Sequence, residues 1–174
     1  MKVLITAFKP FNNQTNNYSL EVLKYIKEVD KIILDVCYDE CYKYLKENKN
    51  LNNYDLIIAM GEARMRNDLM IEVNAKNISS CSLPDNSGII KKDEKIINDG
   101  YDLKTLVNLD TVKDVVKLSN DAGKFVCNNL YYHLLADYPF KSIFIHIPNC
   151  NDNHEEYLKH ANLINKIIDL IKRD

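Results

Sequence analysis

The side chains with the most chemistry to offer in this sequence are thiols and imidazoles near the ends of its apolar runs. Five cysteines, Cys37, Cys41, Cys81, Cys127 and Cys150, form an odd, scattered set without paired C-x-x-C spacing. Such a set fits reduced thiols, at least one of them a candidate for reactivity, better than a disulfide framework or a zinc site. Cys127 follows the turn-forming segment Ser119-Asn120-Asp121-Ala122-Gly123, and His146 closes the apolar run from Lys141 to Ile147. Taken alone, the first reads as a small buried apolar residue and the second as a structural histidine. Glu72, between Ile71 and Val73, reads as the solvent-facing position of an edge strand. Phe8 and Phe11 sit three apart in the turn-rich segment from Thr6 to Asn13, where two rings by themselves suggest core. Cys37 and Cys41, one helical turn apart, read as packing residues because no histidine or third cysteine completes a metal-ligand spacing.

These residues need elements to bring them together. Val- and Ile-rich runs at Val3 to Ala7, Lys31 to Cys37, Asp55 to Met60 and Lys141 to Ile147 predict buried strands. Between them, Leu20, Val22, Leu23 and Ile26 suit a helix capped by Ser19, and 38–49 suits a second. Val126, Leu130 and Leu134 recur at i, i+4, i+8 and predict a helix from about Asp121 to Tyr138, with a start nearer Gly123 or Lys124 as the alternative if Cys127 is to lie close to free N–H groups. A last helix is expected from His154 to Lys172, and Leu83 to Asp102 is expected to be mostly loop. The alternation predicts a single-domain α/β fold over residues 1–174, a three-layer α/β/α sandwich around a mostly parallel, mixed sheet. Sites in such sheets form beyond the carboxyl ends of strands, which is where Phe8, Phe11, Gly61 and His146 fall.

Bulk properties narrow the function. With 46% hydrophobic residues the 174-residue chain can bury a full core. Lys plus Arg (23) nearly balance Asp plus Glu (25) without charge blocks, so no footprint for nucleic acid appears. The first residues carry no long apolar segment, so neither a signal peptide nor a membrane span is expected and a cytoplasmic location is. Neither G-x-G-x-x-G nor a P-loop occurs, which argues against a nucleotide-binding domain.

Together the motifs identify a family. TAFKPFNN (6–13), the G-x-x-x-x-R of Gly61 to Arg66, Ile71-Glu72, Leu83-Pro84-Asp85-Asn86-Ser87-Gly88, SNDAGKFVCN (119–128) and FIHIP (144–148) resemble pyroglutamyl-peptidase I, the pyrrolidone-carboxylate peptidases. From Gly61 to Gly88 the family pattern lies on without a gap, and it also places a recurrent Asn at Asn77. The resemblance implies a Glu72, Cys127, His146 triad. The thiolate would attack the amide, the imidazole would hold it and protonate the leaving amine, and the carboxylate would orient the imidazolium. It implies hydrolysis of the amide after an N-terminal pyroglutamyl residue through a thioester, with no metal or organic cofactor. Pyroglutamyl peptides would be the partners, with a homo-oligomer left open. Phe8 and Phe11 would clasp the lactam ring, the backbone at Gly61 and Glu62 would approach its edge, and Asn17 would support structure. Three departures from the family stand out: Asn12-Asn13 replaces a Gly-Gly, Glu62 a Gln, and Ser82 an Arg. The departures at Glu62 and Ser82 motivate one competing expectation, an amidase of the same fold for another small N-terminal group; a non-catalytic binding protein that keeps the pocket without turnover is the other.

Overall fold

Runs of Val, Ile and Leu with both faces apolar require helices on either side of the sheet they form. The computed structural model, which describes residues 1–173, has that arrangement. In chain order the elements are β1 (Val3–Phe8), α1 (Tyr18–Leu23), β2 (Asp30–Leu34), α2 (Glu40–Asn48), β3 (Leu56–Glu62), β4 (Met70–Glu72), β5 (Asn74–Ala75), β6 (Leu103–Lys104), β7 (Lys117–Ser119), α3 (Val126–Asp137), β8 (Ser142–Ile147) and α4 (His154–Lys172). The main sheet runs β2-β1-β3-β8-β4-β7. All its neighbours are parallel except β4 against β8. A separate antiparallel pair joins β5 to β6.

Alternation along the strands divides the core in two. Val3, Ile5, Ile58, Met60, Ile143 and Ile145 face the layer that includes Val22 of α1 and Ile164 and Ile168 of α4. Leu4, Ile57, Ala59 and Phe144 face the other way, toward Leu45 of α2 and Leu130 and Leu134 of α3. Gly61 and His146 continue this second face beyond the apolar stretch, at the carboxyl ends of β3 and β8.

The expected elements are present, with three corrections. The N-cap of α1 is Asn17 rather than Ser19: Asn17 Oδ1 accepts from the Ser19 N–H at 3.0 Å. α3 starts at Val126, not near Asp121, because Gly123 takes φ +78° and Phe125 is extended. Glu72 does not face solvent; β4 lies inside the sheet between β8 and β7, and the residue is fully buried. β7 is three residues long and has no periodicity long enough to mark it in advance.

In the segment after β5 one side chain makes four hydrogen bonds to the backbone. Asn77 Nδ2 donates to the carbonyls of Ile97 (2.7 Å) and Gly100 (2.8 Å), while its Oδ1 accepts from the N–H groups of Ile96 (3.1 Å) and Ile97 (2.9 Å). Asn77→Ala should therefore lower stability by about 2–4 kcal/mol, at roughly 1 kcal/mol per net hydrogen bond. Urea denaturation monitored by circular dichroism measures this.

Candidate active site

Cys127 owes its position to a helix start and a glycine. It is the second residue of α3, and the preceding Phe125 provides no side-chain cap, so first-turn N–H groups remain free at the site. Facing α3 is Gly61, where a β-carbon would stand 2.5 Å from Cys127 Sγ and 3.0 Å from the Phe144 ring. The sulfur thus occupies the space a side chain at 61 would take. Gly61 is also the register partner of His146 on β8, which brings thiol and imidazole to the same pair of strand ends.

His146 is oriented by Glu72 across the antiparallel pairing of β4 with β8 in the main sheet. The register sets Met70 opposite His146 and Glu72 opposite Phe144, so His146 and Glu72 are diagonal neighbours on one face. His146 Nδ1 lies 2.7 Å from Glu72 Oε1, and both residues are buried, at 5% and 0% exposure. The same oxygen accepts from Arg66 Nη1 at 2.5 Å. Arg66 Nη2 donates to the Asp121 carbonyl at 2.7 Å, tying the carboxylate to the loop that leads into α3. Tyr131, one turn after Cys127, donates from its hydroxyl to the Glu72 carbonyl at 2.8 Å. Burial alone would raise the Glu72 carboxyl, but hydrogen bonding and charge from His146, with Ser119 and Arg66, outweigh it and hold the group below its usual range. For Cys127 the balance goes the other way. Burial, then the Glu62 and Glu72 carboxylates, push the thiol up to about 12 against the pull of its own backbone N–H and Arg66.

Beside the thiol lies a cavity of ≈ 130 Å³ lined by Phe8, Phe11, Glu62, Phe125, Cys127 and His146 among others. Pockets for drug-sized ligands are roughly 300–1,000 Å³, so this one suits a single small ring. Phe8 is buried and forms part of the core beneath it. Phe11 is half-buried and stacks obliquely on Phe125 at 5.7 Å. Between Phe11 and α1 the chain turns through Asn12 (φ 52°) and Asn13 (φ 57°), both left-handed, a conformation Asn tolerates better than most residues. Asn17 also borders the cavity, but its side chain is occupied in capping α1 and in donating to the Lys9 carbonyl at 3.1 Å. Glu62 is paired: Oε1 with Arg64 Nε at 3.0 Å and Oε2 with the Tyr18 N–H at 2.9 Å. Ser82 lies outside the cavity wall, whereas Lys124 is within it.

The structure therefore brings together Glu72, Cys127, His146, Phe8, Phe11 and Glu62, with Gly61 beneath the sulfur. Sequence reasoning leaves Arg66, Arg64 and Tyr131 without roles. The G-x-x-x-x-R spacing marks Arg66 only as a motif end, and the i+4 placement of Tyr131 after Cys127 is the available signal for a shared helix face. Among the described residues, no group of three or more His, Cys, Asp and Glu could hold a metal ion, and no helix is long and apolar enough to cross a membrane.

Comparison with known proteins relates the chain to one family. The family model described as pyroglutamyl peptidase matches residues 1–162. The pyrrolidone-carboxylate peptidase of Thermosipho melanesiensis is 34% identical over 182 residues, covering 94% of this chain and 89% of the relative. That of Finegoldia magna is 33% identical over 167 residues, covering 85% and 78%. Among solved structures, the pyrrolidone carboxyl peptidase of Fervidobacterium islandicum superposes with a TM-score of 0.86 at 25% identity, covering 99% of both chains.

The contact between Gly61 and Cys127 can be checked without any substrate. Gly61→Ala should cost about 1–3 kcal/mol of stability, as overpacking does. Combining it with Cys127→Ala should recover part of that loss, giving a favourable coupling in a double-mutant cycle of urea midpoints.

Proposed function

The chain belongs to the pyroglutamyl peptidase family, and from that membership we propose that Cys127, His146 and Glu72 carry its chemistry. The protein is a cysteine peptidase that removes an N-terminal pyroglutamyl residue. The observation that carries the residue assignment is the 2.7 Å contact of His146 Nδ1 with buried Glu72, at the strand end where Cys127 Sγ stands over Gly61. Glu72 fixes the imidazole so that Nε2 is the nitrogen left for the thiol.

With burial holding the resting nucleophile as a thiol, its proton passes to His146 as the carbon–sulfur bond forms. The first-turn N–H groups of α3 stabilise the oxyanion of the tetrahedral intermediate, aided by the positive end of the helix. Glu72, already ionised, stabilises the imidazolium. That imidazolium gives its proton to the departing amine, leaving a pyroglutamyl thioester on Cys127. Water then attacks the thioester with His146 again accepting the proton, which returns the thiol and releases pyroglutamate.

The lactam fits a small cavity with aromatic walls, Phe11 and Phe8 supplying flat apolar faces. The side chains of Asn17 and Glu62 are already engaged, so backbone groups at the end of β3, around Gly61 and Glu62, are left to read the ring N–H and C=O. Five free thiols suit a reducing compartment, and we place the protein in the cytoplasm.

Release of aminomethylcoumarin from its pyroglutamyl amide under reducing conditions tests the assignment. Cys127→Ala should abolish turnover, and Glu72→Gln should lower kcat by about 10²–10⁴-fold with the fold intact. Undiminished turnover in either variant would remove that residue from the mechanism.

A further inference from the structure

A carboxylate in the wall of a pocket for a neutral ring needs an explanation. Glu62 borders the cavity, its side chain is 3% exposed, and its charge is one of those that raise the Cys127 thiol. Left unpaired, such a charge would favour any substrate bearing a free N-terminal ammonium over an uncharged lactam, because burial strengthens the attraction.

The charge is answered by a single cation held on several sides. Arg64 meets Glu62 Oε1 through Nε at 3.0 Å, lies over the Tyr18 ring at 4.1 Å, and donates to the Tyr18 hydroxyl at 3.0 Å and to Asn16 Oδ1 at 2.9 Å. The other Glu62 oxygen takes the Tyr18 N–H at 2.9 Å. Asn16 is in turn bonded to Asp152 in the loop after β8. A planar guanidinium stacked on one face and bonded along its edge is pre-organised in a way an ammonium is not. Both carboxylate oxygens are therefore committed away from the cavity.

We propose that Arg64 is a specificity-determining residue: by neutralising Glu62 in the pocket wall it makes the site select a neutral lactam and reject a ring that carries a cationic nitrogen. This rests on the pyroglutamyl reading of the same pocket. It assigns Arg64 no part in bond breaking.

Prolyl-aminomethylcoumarin is the discriminating probe, since proline has a ring of the same size with a protonated nitrogen. The quantity to follow is the ratio of kcat/KM for the pyroglutamyl substrate to that for the prolyl one. Arg64→Met should lower this ratio at least about tenfold, mainly through KM for the pyroglutamyl substrate. Glu62→Gln combined with Arg64→Met should restore the ratio to within about threefold of wild type, since removing both charges leaves nothing to neutralise. Glu62→Gln alone should keep or raise the ratio, and this variant decides the matter if Arg64→Met does not fold. An unchanged ratio in Arg64→Met, a double variant no better than Arg64→Met, or a fall in Glu62→Gln would overturn the proposal and leave Arg64 as a structural clamp. Wild-type preference for the prolyl substrate would instead overturn the pyroglutamyl reading and this inference with it.

Discussion

The site depends on keeping one carboxylate ionised at the centre of a sheet. Glu72 is wholly buried, and removing one partner from a buried ion pair typically costs about 3–5 kcal/mol. Its partners come from three places in the chain: His146 from β8, Arg66 from the loop after β3, and Ser119, which helps lower its pKa, from the end of β7. Pairing that charge therefore fixes the position of the His146 imidazole. It also ties the β4 side of the sheet to the loop that leads into α3, through Arg66 and the Asp121 carbonyl.

The opposite requirement holds at the sulfur. Burial and two carboxylates hold the Cys127 thiol high, and what surrounds the sulfur is a helix start, a glycine that leaves room, and, at the neighbouring strand end, the His146 imidazole held by Glu72. α3 serves both ends of the arrangement, carrying the thiol in its first turn and holding the Glu72 backbone through Tyr131 in its second. Asn128, next to Cys127, accepts from the Lys76 N–H at 2.8 Å and donates to the carbonyls of Lys76 and Ile78, which fastens the same helix end to the strand region after Glu72.

How much of this is legible in the sequence follows from what each feature rests on. The four long strands and α4 can be read because their apolar periodicity is local. The triad can be named because its motifs resemble a family, although Glu72 reads locally as a surface residue. β7, a three-residue strand with no pattern of its own, pairs with the far side of β4 and takes it off the sheet edge, and the Glu72 side chain is met by His146 and Arg66. α3 starts later than the sequence suggests because Asp121 resembles a helix cap; its carboxylate instead accepts from the Gly123 N–H at 3.0 Å within the preceding turn. The pairing of Glu62 with Arg64 depends on the Tyr18 and Asn16 loop folding over it, a long-range contact that spacing alone does not encode. At Asn12 and Asn13 residue chemistry does suffice, and both take up the left-handed backbone their glycine counterparts would allow.

The proposed reaction requires that Cys127 become acylated. Its most direct test is mass spectrometry of wild-type protein mixed with a pyroglutamyl amide, quenched in acid during turnover and digested. A pyroglutamyl thioester is expected on the peptide containing Cys127, present in wild type and absent from Cys127→Ala. Turnover with no adduct, or with the adduct on Cys37, Cys41, Cys81 or Cys150, would contradict it.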